Sequence, residues 1–369
     1  MKKRLFLMAM ASVALASCVS EAVTDVKQKD EKVKITFESP VLYNSVNSRA
    51  VVTGEIGSHT YEGSSTVYSY PREENFIIYA VEHAGNLVNW ASATAHEMNG
   101  KAVSYDGTVD GWTVKDDEGK YYYWPSGKKM SFAASSPAEL DVAGAYRSYG
   151  DNGLTITDFE IQPNAGEQYD LLYSERVANQ TSADMVHGAS YYSGIPIQFH
   201  HALSSIRFSI LNETEETVVL KKIEVSGVKY KGDFSQNSSP SWSLDDDVVA
   251  TPYVGYNDTD GDGVTFPDEA QYVAYLDNNN SNQLLLMPQE LTDYAIVTVT
   301  YTVNGEEHSK KAQFNDWMNT DDEYVTEWEM GHRYIYRLVY SAATAKKDKI
   351  FFSPSTTEWD EEKIVVIKL

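Results

Sequence analysis

The densest set of potential ligands in the chain is Asp258-Thr259-Asp260-Gly261-Asp262-Gly263, with Glu269 eleven residues after Asp258. The spacing matches D-x-D-x-D-G-x5-E, a loop that offers calcium a ring of oxygens around a sharp turn at glycine. A structural calcium held by Asp258, Asp260, Asp262 and Glu269 is therefore one reading. Pro267 within the loop and Phe266 at its ninth position oppose it, and an acidic hairpin tip is the alternative. The eight histidines (59, 83, 96, 187, 200, 201, 308 and 332) show no paired metal spacing, and His200-His201 beside an apolar run reads as packing. No phosphate loop, nucleophile elbow or Ser-His-Asp order stands out, so the expectation is a protein without catalytic activity.

Cys18 is the one cysteine in 369 residues, which excludes internal disulfides and thiolate metal clusters. Lys2, Lys3 and Arg4 precede an apolar run from Leu5 to Leu15, which is followed by Ala16, Ser17 and Cys18. The run is too short for a permanent span and reads as a secretory signal covering residues 1–17. Small residues before the cut admit a peptidase, and a thiol at the new N-terminus can accept diacylglycerol, as in a bacterial lipoprotein. An ordinary signal with a chance cysteine is the alternative. Acyl chains contribute about 0.8 kcal/mol per buried CH₂, so lipid on Cys18 would hold the protein at a membrane. Residues 18–32 are polar and read as a tether.

With 30 basic and 54 acidic residues the net charge is −24, and a sheath of that sign repels nucleic acid. Hydrophobic residues at 42% supply real cores. The elements that must carry any site alternate with period two. Val33, Ile35 and Phe37 are separated by Lys34 and Thr36, and Ile206, Phe208 and Ile210 by Arg207 and Ser209. Val297, Val299, Tyr301 and Val303 are separated by threonines. Such strands bury one face and wet the other. Turn signals at Asp151-Asn152-Gly153 and Asn304-Gly305 separate them. The fold expected is all-β, built from two packed sandwiches over residues 33–190 and 191–369, with a short helical turn allowed between Ser135 and Gly144.

Several segments then line up with one family. Tyr123-Trp124-Pro125 and Met130-Ser131-Phe132-Ala133-Ala134-Ser135-Ser136-Pro137 resemble the "YWP…lsFfAysP" stretch of the fimbrillins. Asp170-Leu171-Leu172-Tyr173, Phe199-His200-His201-Ala202-Leu203-Ser204, Leu286-Met287-Pro288-Gln289 and Trp328–Tyr336 are similar to further segments of that family, in the same order, as are Ile350–Pro354 and Trp359. The resemblance implies a subunit of type V pili with two transthyretin-like β-sandwich domains. It implies a lipoprotein route to the outer membrane and cell surface, removal of the N-terminal segment by an arginine-specific protease, and a groove filled by a strand from another subunit, giving a homo- or heteropolymer.

The parts of that mechanism have candidates here. Arg49, in Asn47-Ser48-Arg49-Ala50, is the only arginine between Cys18 and Arg72. A cut between Arg49 and Ala50 would release both the lipid and the strand at 33–37; a plain surface arginine is the alternative. The donor candidate is Ile364, Val365, Val366 and Ile367, apolar and free of proline and glycine; closure of its own sheet is the alternative. The function expected is a pilus or accessory subunit serving adhesion or biofilm formation. The other class open to the sequence is a monomeric surface lipoprotein that binds glycans through its aromatic side chains.

Overall fold

The structure is a computed structural model. It describes residues 33–38, 40–42, 58–60, 66–70, 72–87, 89–107, 111–140, 145–182, 194–248, 251–259, 261–269, 271–272, 283–316, 324–341 and 354–358. Within them the chain is all-β, with 3-10 turns at Ala165–Glu167 and Phe314–Asp316.

The first sheet grows around Phe76–His83, whose near-continuous apolar run is buried on both faces and pairs antiparallel with Thr94–Tyr105 and Lys129–Ser136. The sheet has eleven strands in all, and Thr36–Phe37 stands at one end of their order. The junction expected near 190 lies outside the described residues. The first strand after it, Gln198–His201, still pairs in this sheet, with Leu172–Ser174 and with Val41–Leu42.

Two five-stranded sheets follow. Ser204–Asn212 runs parallel to His332–Tyr340 in one, and Val218–Ser226 pairs with Ile296–Val303 in the other. Ile206, Phe208, Val225, Val297 and Val299 share the larger hydrophobic core, which extends back to Ile77 and Leu154. A four-stranded sheet has the order Ser241–Leu244, Lys231–Ser235, Gly153–Glu160, Tyr146–Gly150, so it draws on both halves of the chain.

The alternation at 296–303 holds as expected, with Val297, Val299 and Tyr301 buried between half-exposed threonines. The alternation at 204–212 does not give a wet face. Arg207 and Ser209 are buried as fully as Ile206 and Phe208, and Arg333 and Arg337 of the parallel neighbour are buried with them. That second face is polar but shielded: Ser205 Oγ donates to Gln283 Oε1 at 2.6 Å, and Arg337 Nε to Ser209 Oγ at 3.3 Å. Ser135 and Ser136 end the strand Lys129–Ser136, and residues 135–140 contain no helical turn.

Candidate functional site

The leading segment is built into the first sheet through both of its edges. On one edge Thr36 and Phe37 pair antiparallel with Thr113 and Trp112, Ile35 N donates to Tyr122 O at 2.9 Å, and Trp124 N donates to Val33 O at 2.9 Å. On the other edge Ile195 N donates to Thr36 O at 2.9 Å and Glu38 N donates to Ile195 O at 3.0 Å. A strand paired on both sides leaves few backbone groups for water, so its removal would unsatisfy two neighbours at once.

Its side chains give the segment its hold. Ile35 and Phe37 are 0% and 1% exposed, while Val33 is 45% exposed. The Phe37 ring meets Phe76 and Phe132 edge-on, each at 6.0 Å between centroids. Around it stand Tyr70, Trp112, Trp124, Ile195, Ile197 and Phe199 in one core separate from the larger one. Thr36, expected on a wet face, is 9% exposed because a strand with neighbours at both edges has little open face there. Gly194 makes the fit possible: a Cβ at that position would lie 2.4 Å from Phe37 C and 2.6 Å from Glu38 N.

The segments quoted for their family resemblance supply the walls of this slot. Trp124 packs edge-on to Phe132 at 5.8 Å, and its amide holds Val33. Phe132 comes from the strand Lys129–Ser136, and Phe199 from Gln198–His201. Tyr70 joins Phe76, Trp112 and Phe199, and burial pushes its phenol well above the usual range. Its hydroxyl donates to Asn75 O at 3.0 Å and lies 2.8 Å from Ser136 Oγ. Beyond the slot, Val41–Leu42 continues the leading segment as a second inserted strand, between Gln198–His201 and Thr66–Ser69.

Cys18, Arg49, Ala50 and the segment Ile364, Val365, Val366, Ile367 lie outside the described residues. Of the acidic loop, Asp258, Asp262 and Glu269 are described and Asp260 is not. Asp258 Oδ2 accepts from Lys221 Nζ at 2.8 Å, and its Oδ1 accepts from Gly261 N at 2.9 Å. The same ammonium donates to Gly261 O at 2.7 Å and holds the Asp258 carboxyl below the usual carboxylate range. A lysine cation thus sits among the loop's oxygens. Among the described residues no three His, Cys, Asp or Glu side chains gather as a metal site.

His200 and His201 are packed, as the sequence suggests. His201 Nδ1 lies 2.9 Å from Asp170 Oδ1 with both side chains buried, and the His200 ring stacks on Tyr173 at 5.4 Å. Burial lowers the His200 pKa. Sequence reasoning did not single out Ile195, Tyr122 or Gly194 as slot residues, nor Asp170 as the partner of His201. Only the apolar Ile195-Pro196-Ile197 run signalled an element there. No helix of the described residues is long and apolar enough to cross a membrane.

A family model described as "Fimbrillin-like" matches residues 65–359. A fimbrial protein from Bacteroides vulgatus is similar in structure, with 14% identity, a TM-score of 0.53, and coverage of 88% of this chain and 99% of its own. A candidate cell adhesion protein from Bacteroides uniformis follows at 13% identity and a TM-score of 0.48, covering 90% and 99%. A fimbrilin from Porphyromonas gingivalis is 10% identical with a TM-score of 0.42, covering 89% and 97%. A search of curated proteins found no match. The first of these likenesses is one of fold, whereas the family model spans most of the sequence, and the chain therefore belongs to the fimbrillin-like family.

Proposed function

We propose that this chain is a pilus subunit made as a lipoprotein precursor, which gives up its leading strand on proteolysis and takes a replacement strand from another subunit. The role is structural, not catalytic. The observation that carries the reading is the leading segment at 33–38, paired at both edges with Ile35 and Phe37 in an aromatic core, upstream of Arg49, the one arginine between Cys18 and Arg72. Burying two such side chains contributes about 1.5–3 kcal/mol each, before the backbone bonds are counted. That hold keeps the precursor closed and blocks early polymerisation.

A cut after Arg49 separates the residues from Cys18 to Arg49 from the sheet that holds them. The segment can then leave with the lipid, and the backbone groups of Tyr122, Trp124 and Ile195 need new partners. A strand with alternating apolar residues restores them, since main-chain bonds supply affinity and side-chain pockets supply register. Ile364 to Ile367 is apolar at every position, so it presents apolar side chains whichever face it turns inward. In this scheme the precursor sits lipid-anchored at the outer membrane, and the mature subunit stands in a surface polymer that serves adhesion or biofilm formation.

The test is limited digestion of the full chain with an arginine-specific protease, read by mass spectrometry and native gels. The expected result is a first cut after Arg49, then a ladder of oligomers, both absent in Arg49→Ala. A first cut at another arginine, or a chain cut after Arg49 that stays monomeric once the leading fragment has been removed, would overturn the scheme.

A further inference from the structure

Away from the leading strand, Arg147 is a shielded cation with no carboxylate partner among the described residues. Arg147 lies in Tyr146–Gly150, the edge strand of the four-stranded sheet, and lines a cavity of about 400 Å³. Its Nη1 donates to Pro137 O at 2.7 Å, but Nε and Nη2 are shut off from solvent and meet no acceptor. No carboxylate pairs with it among the described residues, in a chain where acids outnumber bases 54 to 30. Desolvation brings its pKa down to about 10, so it stays charged at neutral pH.

Arg176, on the other side of Tyr149, shows how this protein ordinarily satisfies such a group. Its guanidinium lies 5.1 Å from the Trp90 ring and 5.6 Å from the Tyr149 ring, and it donates to the carbonyls of Gly150 and Asp151 at 3.2 and 3.4 Å. Among the described residues Arg147 has one carbonyl and no ring over it. A buried cation without compensation is costly, and an anion in the adjoining cavity would offset the cost.

The rest of the lining narrows the anion. Tyr79 and Tyr149 stack at 5.6 Å with 24° between their planes. Gly100 carries no side chain on this side; a Cβ there would lie 3.6 Å from Cε1 of Tyr79, a residue that is itself only 4% exposed. Asn99 and Tyr146 are exposed and offer an amide and a phenol, while Leu140 and Ala138 add an apolar wall. Aromatic and apolar walls suit the C–H faces of a pyranose, the amide and phenol suit its hydroxyls, and the guanidinium suits a carboxylate. We propose that this cavity binds an acidic sugar of the uronic or sialic acid class, at a glycan terminus, with Arg147 as counter-ion to its carboxylate. Binding requires a rotation at the end of the arginine side chain, because its two unpartnered N–H groups are covered in this structure.

The experiment is calorimetric or NMR titration of the full chain with N-acetylneuraminic acid and with glucuronic acid. Glucose, acetate and a short peptide with a free C-terminal carboxylate serve as controls. Saturable binding of at least one acidic sugar, weakened at least about tenfold in Arg147→Met with no fall in melting temperature, is the expected result. The retained stability follows because the variant removes an uncompensated cation. Should Arg147→Met fail to fold, Tyr146→Ala at an exposed position carries the test, with several-fold weakening expected. Acetate binding as tightly as the sugars, the peptide binding in their place, unchanged affinity in Arg147→Met, or no binding of either acid would each overturn the proposal.

Discussion

Phe37→Ala removes the side chain that fastens the leading strand. The ring is 1% exposed and contacts Phe76 and Phe132 edge-on at 6.0 Å, so truncation leaves a cavity among rigid aromatic neighbours that cannot collapse into it. Such core truncations cost about 3–5 kcal/mol. Val33, four residues earlier and 45% exposed, should cost no more than about 0.5 kcal/mol when changed to alanine. At 1.4 kcal/mol per decade, the equilibrium holding the segment in its slot should weaken by roughly a hundred- to a few-thousandfold in the first variant and barely in the second. Denaturant midpoints of the uncut chain measure the stability difference, and dissociation of the leading fragment after arginine-specific cleavage measures the hold directly. If Phe37→Ala and Val33→Ala behaved alike in both assays, the leading strand would not be held by its buried face, and the argument for a vacated slot would fail with it.

Gly194→Ala should cost about 1–3 kcal/mol and loosen the same segment, because its Cβ would meet backbone atoms of Phe37 and Glu38 rather than a movable side chain; an unchanged denaturant midpoint would contradict that closeness. Burial lowers the His200 pKa, so protonation favours the unfolded chain: the contribution is intact above about pH 6.5 and is lost as pH falls below it toward the depressed folded value. The stability difference between the parent and His200→Gln should therefore shrink or reverse from pH 7 to 5, and a constant difference would refute it. Lys221→Met frees Asp258 from its ammonium, so calcium should raise the melting temperature of this variant more than that of the parent; equal responses would show that the lysine does not compete for the loop.

The hairpin at Asn304-Gly305 was plain in the sequence. Val303 pairs with Glu306 across the two residues, and both have positive φ, at 51° and 89°, as asparagine and glycine permit. The Asp151-Asn152 turn also closes a two-residue hairpin, with Gly150 opposite Gly153, but there the positive φ, 78°, falls on Gly153. The alternation at 33–37 marked a strand and named its two deepest side chains, but not Thr36, whose burial depends on Ile195 arriving from more than 150 residues away. The alternation at 204–212 misled for a related reason. Period two tells that faces differ in polarity, and a sheet shielded on both sides can reserve one face for serines, glutamine and arginines bonded to each other. Arg147 left no mark at all, because an arginine in a tyrosine-rich strand looks like any solvated residue until the cavity beside it is known.

The four-stranded sheet has a temporal consequence. Its inner pair joins Gly153–Glu160 to Lys231–Ser235, and Gln236 ties it further by donating to Ser174 O and accepting from Leu154 N. Trp242 then donates from its indole to Ala202 O at 2.6 Å. None of these links can form before about two thirds of the polypeptide is available, and the parallel pair of Ser204–Asn212 with His332–Tyr340 waits longer still. Pairings of such long range close slowly. During synthesis the sheets that depend on these links would stay pliable after the pairings around Phe76–His83 had closed, and would become rigid only once nearly all of the chain was available.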